Sequence, residues 1–369
     1  MSNSDLKIIP RSNPNLIGHE FAESRFLKIW QSGRIPHAWL ITGPRGVGKA
    51  TLAFRMARFV LLDDENKRTS SGLFEDTSEP SLQLNAENQV FRKIASGAHP
   101  DLMTLERSVN TDTNRLKNTI PVEDIRSAGQ FLRLTASEGG WRIIVIDSAD
   151  DLNGNAANAL LKILEEPPDK ALIFLICHAP SLLLPTIRSR CCNMPLTQLH
   201  HDNIFNLLNE HLTGFSIEEL ESLSLLSDGS PGRGVSLAKA GGLDLYREMI
   251  SLLFSLPDTE TALLHDLGDR LARRGTEENF RIFTTLLTWW ISKLISFGAQ
   301  NQVMINIVPE EEGCARRLLS LSGVDRWLEV WEKINSLASQ TDRLNLDRKK
   351  TLLNIFYSLE VAANGSKQS

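Results

Sequence analysis

Gly43-Pro44-Arg45-Gly46-Val47-Gly48-Lys49-Ala50-Thr51 follows the apolar run AWLIT (38–42) and opens a helical pattern over 49–62. The run has strand length and buried-type residues, and the pattern after it has helical spacing. A G-x-x-x-x-G-K stretch between a strand and a helix is a phosphate-binding loop. Its glycines let the backbone wrap an anion, and its N–H groups sit at a helix N-terminus. Lys49 adds a point charge for the β- and γ-phosphates. Gly43, Gly46, Gly48, Lys49 and Thr51 are therefore candidate nucleotide-binding residues.

The residue after Lys49 decides what the loop can do. A Ser or Thr hydroxyl there holds Mg²⁺. Ala50 has no oxygen, and Thr51 lies about 100° further round the helix. A second strand, RIIVI (142–146), runs into Asp147, where a phosphate-loop protein keeps its metal-organising carboxylate. Ser148 follows, and a hydroxyl is no useful base at neutral pH. Asp150 is two residues further on and points elsewhere. Two losses in one pocket predict a site that hydrolyses nothing and holds ATP weakly.

Around this core the first half alternates apolar runs with helical patterns, which is the signature of a parallel α/β sheet. A strand is expected at 101–105, helices at 122–134 and 158–164, and a further central strand, ALIFLIC, at 171–177. Pro167-Pro168 stops the second helix. The polar stretch 63–88 is expected to be a surface insertion without structure of its own. From about Thr197 the strand signal stops. Helices are expected over 201–212, 217–226 and 232–240, and after Gly241-Gly242 over 243–254, 259–274, 277–297, 314–337 and 346–363. The predicted architecture is an α/β domain (1–196), a small helical domain (197–242) and an all-α domain (243–369), in keeping with two or three domains for 369 residues.

Forty basic against 45 acidic side chains leave a net charge of −5, which argues against a protein that grips nucleic acid by bulk electrostatics. No apolar run approaches membrane length and the N-terminus lacks a signal-peptide core, so a cytoplasmic protein is expected. The cysteines are Cys177, Cys191, Cys192 and Cys314, without a C-x-x-C pair. Small buried thiols are the expectation, with neither zinc nor a disulfide framework.

Thr186-Ile187-Arg188-Ser189-Arg190-Cys191 follows the ALIFLIC strand, and the sequence becomes recognisable there. Upstream lie His99-Pro100-Asp101, Ile120-Pro121-Val122 and the stretch NALLKILEEPP (158–168). Downstream lie Gly229-Ser230-Pro231-Gly232-Arg233 and Leu344-Asn345-Leu346-Asp347-Arg348. In this order they resemble the AAA+ clamp-loader subunits of bacterial DNA polymerase III, from about Ile17 to Leu359. The resemblance implies a P-loop AAA+ domain, a helical lid and a C-terminal helical collar that mediates oligomerisation. It implies that Arg190 is an arginine finger reaching in trans into a neighbour's ATP site, where a fixed fork of donors neutralises charge developing on the γ-phosphate. It puts Arg233 at the second sensor position, at the start of a lid helix. The implied partners are the gamma/tau and delta subunits and, through the complex, the β sliding clamp and primed DNA.

Within the family, gamma/tau keeps the hydroxyl after the lysine, an Asp-Glu pair and a four-cysteine zinc module. Here stand Ala50, Ser148 and no cysteine between Lys49 and Asp147. A retained finger beside lost motor residues resembles the delta-prime type, a stator. Two alternatives stand beside it. One is an active gamma/tau-like ATPase motor in which Thr51 and Asp150 do the displaced jobs. The other is a free-standing P-loop enzyme such as a kinase, for which neither acceptor pocket nor base is visible.

Lesser features have plainer readings. Trp289, Trp290, Trp327 and Trp331 are expected in core or interface packing. Arg343, Arg348, Lys349 and Lys350 are expected on a solvated helix face. Glu165 and Glu166, before two prolines at a helix end, are expected to be structural or interface residues. His178 lies near the family's first sensor position but is not the amide or Thr usual there.

Overall fold

The computed structural model of the chain describes residues 9–69, 81–110, 115–117, 119–137, 140–300, 304, 306–344 and 346–365. It divides into two compact units, Met1–Leu207 with Gly229–Gly232, and Leu208–Asp228 with Arg233–Ser369.

The first unit is built on β1 (Ala38–Thr42), β2 (Leu102–Glu106), β5 (Arg142–Asp147), β6 (Ala171–Cys177) and β7 (Cys192–Pro195), with a short antiparallel ribbon of β3 (Val109–Asn110) and β4 (Arg115–Leu116) beside them. The five-stranded sheet has the order β2-β5-β6-β1-β7 and every pairing in it is parallel. A parallel sheet covered on both faces needs strands that are apolar throughout. β1 and β6 are buried at every residue. The pleat divides these side chains between two cores. Trp39, Ile41, Ile143, Val145, Leu172 and Phe174 pack with Phe26 and Leu52 on one face. Leu40, Ile144, Ile146, Ile173 and Leu175 pack with Ile125 and Leu160 on the other.

Several elements differ from the sequence expectations. β7 was not expected: it is four residues long, ends in proline and buries only Met194, too little for an apolar run to register. The helix after the phosphate loop runs to Thr69, so 63–69 are helical rather than irregular, and the centre of the 63–88 stretch lies outside the described residues. A seven-residue helix, Gln89–Ala95, follows, capped by the Asn88 side chain accepting from the Val90 N–H. The helix expected over 314–337 is two, Glu311–Leu321 and Val324–Leu344, broken at Ser322-Gly323.

Among the described residues, every regular element of the second unit is a helix. Its helices include Ile217–Leu226, Gly242–Ser255, Thr261–Ala272, Glu277–Gln300 and Arg348–Ala363. Trp290 and Trp327 are fully buried, as expected of core tryptophans. Glu277–Gln300 is long and apolar enough by composition to cross a membrane, contrary to the sequence expectation. Phe280, Phe283, Leu286, Leu287, Trp290 and Ile291 of this helix are instead buried in the bundle. Of the basic cluster, Arg343 and Lys350 are exposed as expected, whereas Arg348 and Lys349 are half-buried and paired. Arg348 donates to the Glu277 carboxylate at 2.6 Å and to the Arg273 carbonyl, and Lys349 pairs with Asp269 at 2.5 Å.

Candidate functional site

The phosphate-type loop leaves the C-terminal end of β1, beside the ends of its sheet neighbours. That is where parallel α/β sheets carry their ligand sites. Gly43, Gly46 and Gly48 have φ of 143°, 81° and 116°, a region that L side chains rarely adopt. At Gly43 the requirement is also steric, because a Cβ would lie 2.3 Å from the Leu196 carbonyl oxygen.

All six carbonyls from Gly43 to Gly48 are hydrogen-bonded within the same unit. Lys49 Nζ donates to Gly43 O at 2.6 Å and to Pro44 O at 2.5 Å. Ser230 Oγ donates to Arg45 O at 2.6 Å, and the Gly232 N–H donates to Gly46 O at 3.0 Å. His19 Nε2 donates to Val47 O at 2.9 Å, and Leu52 N–H to Gly48 O at 2.9 Å. The charge that would meet a phosphate is thus turned back onto the loop. Lys49 is buried, and its pKa falls to about 8, chiefly through burial, with Asp147 and Asp150 pulling the other way. Burial, reinforced by Glu106, raises Asp147 above the usual carboxylate range, with Lys49 opposing.

The positions that would carry a metal and a base are differently employed. Ala50 packs against the core, and Thr51 is buried. Ser148, also buried, donates its hydroxyl to Asp151 at 3.2 Å. Asp150 accepts from the His178 N–H at 2.6 Å, the Ala179 N–H at 2.8 Å and the Cys177 thiol at 3.3 Å. Burial would raise its pKa, but these donors hold it below the usual value. Asp150 ties down the turn after β6. His178 is held neutral at physiological pH, its pKa lowered to about 4 by burial and by Lys49 and Arg45. These residues do not fit a hydrolysable magnesium–nucleotide complex.

Arg190 makes its contacts elsewhere. It follows a four-residue helix, Pro185–Arg188, that leads into β7. Its Nη2 pairs with Glu165 Oε1 at 2.8 Å, and its Nη1 donates to Thr186 O at 3.0 Å. Arg188 is exposed, with no ion pair among the described residues.

A family model described as DNA polymerase III, delta subunit, matches residues 18–200. The DNA polymerase III subunit delta' of Pseudomonas aeruginosa is 34% identical over 221 residues, 58% of this chain and 61% of that protein. The chain therefore spans less than two thirds of that relative's length. The DNA polymerase III subunit gamma of Buchnera aphidicola subsp. Schizaphis graminum is 30% identical over 368 residues, 97% of this chain and 90% of that one. The chain belongs to the clamp-loader subunits of DNA polymerase III. A crystal structure of a gamma subunit-related protein from Thermotoga maritima superposes with a TM-score of 0.41 at 18% identity, covering 93% of this chain and 99% of that one.

In this clamp-loader subunit the stretch His99-Pro100-Asp101 has a structural use. Asp101 pairs with Arg142 at 3.5 Å and accepts from the Ser137 N–H at 2.8 Å, and the Arg142 guanidinium lies 4.6 Å from the Phe131 ring centre. Arg233 belongs to the second unit, in the helix Pro231–Lys239. Its Nη2 is buried without a hydrogen-bond partner among the described residues, and burial lowers its pKa against the pull of Asp228. Among the described residues no group of three or more His, Cys, Asp or Glu side chains is arranged to hold a metal.

Sequence reasoning passed over His19, which seals the loop through Val47. Nothing local marks it, since 28 residues separate the partners. It also treated Glu165 as structural or interface material without seeing its link to Arg190.

The state of Lys49 gives a pH prediction. Its folded pKa of about 8 lies below the ordinary value near 10.4, so between them the unfolded chain holds a proton that the folded chain has released. Lys49's contribution to stability therefore rises with pH across that window, by about 2 kcal/mol between pH 7 and 9.5. Urea unfolding at the two pH values checks it: Lys49→Met should lose this rise, and an equal rise in variant and wild type would refute it.

Proposed function

We infer that this chain is the delta-prime, stator-type subunit of the clamp loader. It assembles with gamma/tau and delta into the ring that opens the β sliding clamp and places it on primed DNA. It hydrolyses no ATP itself and lends Arg190 in trans to a neighbour's ATP. The observation that carries this reading is the state of its own pocket: Ala50 without an oxygen, Ser148 spent on Asp151, and Asp150 occupied by three donors. Residues 1–196 form the AAA+ domain in this reading, 197–242 the lid, and 243–369 the collar through which the ring assembles. DNA and the clamp are met through the complex, in the cytoplasm.

A gamma/tau-like motor is the second reading, favoured by the longer reach of the Buchnera gamma match. It needs Thr51 and Asp150 for metal and base, and against it count a buried Thr51 and an Asp150 occupied by three donors. The purified chain decides between them. Magnesium-dependent ATP turnover should be undetectable, whereas turnover that Lys49→Ala abolishes would establish the motor.

A further inference from the structure

We propose that Glu165 is a positioning residue for Arg190, a latch that holds its guanidinium against its own domain until a neighbour's phosphate displaces the carboxylate. The proposal rests on the trans-finger reading above. Its observation is the pair itself: Nη2 on Glu165 Oε1 at 2.8 Å and Nη1 on Thr186 O at 3.0 Å, so both arms of the fork are engaged within the chain. A finger acts through those arms, and one closed on a carboxylate has its charge neutralised. For the arginine to serve another subunit, the carboxylate must let go.

Two further features fit a latch better than a structural strut. Glu165 is the last residue of the helix Gly154–Glu165, where the backbone dipole disfavours an acidic side chain, so helix stability does not account for it. The pair is also half-exposed, with 36% of the Arg190 and 50% of the Glu165 side chain accessible. Ion pairs in such settings are weak and screened by salt. A phosphate group, with more charge and more acceptor oxygens than a carboxylate, outcompetes a contact of this strength. Glu165 comes from the helix between β5 and β6, whereas Arg190 comes from the turn before β7, so the contact spans 25 residues that no local motif would join.

The test uses the reconstituted complex with gamma/tau and delta, assayed for ATP turnover without DNA or clamp. Glu165→Gln keeps the size and removes the charge. It should raise turnover two- to five-fold, the upper figure being about 1 kcal/mol, the most that a half-exposed ion pair contributes. Two readouts separate a latch from a strut. The gain should vanish in the Arg190→Ala background. Raising the salt should also speed the wild-type complex relative to the Glu165→Gln complex, because salt weakens a latch that the variant lacks. Should Glu165→Gln fold poorly, Glu165→Asp, which keeps the charge but draws it back by one methylene, should give the same sign. Unchanged or slowed turnover in a folded Glu165→Gln complex would overturn the latch while leaving the finger intact. If Arg190→Ala itself leaves turnover unchanged, the finger reading fails and the latch with it.

Discussion

Replacing Arg190 with alanine is expected to slow ATP turnover and clamp loading by the assembled complex at least ten-fold, with the subunit still folded and incorporated. Arginine fingers contribute on the order of 10³–10⁵ in rate where one site is isolated, and a complex with several ATP sites dilutes the effect. Folding should survive because the side chain is exposed and its contacts are one half-exposed ion pair and one carbonyl, which together contribute about 1 kcal/mol or less. Arg190→Lys should rescue little. An ammonium supplies a point charge, whereas the transition state needs two parallel donors on adjacent oxygens. Arg188 is the internal control, two residues away and exposed. Equal damage from Arg188→Ala would point to the local positive charge rather than to a finger, and full activity of the Arg190→Ala complex would remove the assignment.

How much of this was legible in the sequence depends on how local each determinant is. β1, β6 and the helix Ile217–Leu226 fall on their expected bounds, because buried parallel strands and a helix introduced by a Ser216–Glu219 capping box carry their signal within a few residues. The lack of a hydroxyl after Lys49 and of a carboxylate after Asp147 was legible for the same reason, since Ala50 and Ser148 lack those atoms in any fold. β7 was not legible: what makes Cys192–Pro195 a strand is the exposed edge of β1, paired from Trp39↔Cys192 to Thr42↔Pro195. The closure of the loop was hidden too. Ser230 and Gly232 reach Arg45 and Gly46 from about 185 residues away in the chain, and His19 reaches Val47 from the other side. A motif shows which phosphate ligands a loop could offer. Whether its lysine faces a ligand or its own carbonyls depends on packing that the motif does not contain.

The second large effect is expected at Glu311, which lies in no motif. Its carboxylate is fully buried, and four donors from three segments converge on it. Tyr246 Oη, on the helix Gly242–Ser255, and Trp290 Nε1, on Glu277–Gln300, donate to Oε2 at 2.6 and 3.2 Å. The N–H groups of Ile307, at 2.9 Å, and of Val308 donate to Oε1. Removing the acceptor leaves the buried Tyr246 and Trp290 donors and two half-buried N–H groups unpaired, so Glu311→Ala should cost about 3–5 kcal/mol, a large share of the roughly 5–15 kcal/mol that holds a domain folded. Glutamine should do little better. Its carbonyl can take one pair of donors, but its NH₂ must then face the other pair, so a change that is conservative in shape reverses the polarity of half the site. The pH dependence has a definite sign. Burial raises the Glu311 carboxyl above its usual range against the pull of its donors, so the folded chain binds this proton more tightly than the unfolded chain does. Its contribution to stability is then greatest below about pH 4.3 and declines as pH rises through the folded pKa, a slope that Glu311→Gln should lack. Urea unfolding followed by tryptophan fluorescence reports on the unit directly, because Trp290 is one of the donors. A Glu311→Gln protein within about 1 kcal/mol of wild type would mean that the donors find other partners, and that the convergence is not what holds these helices together.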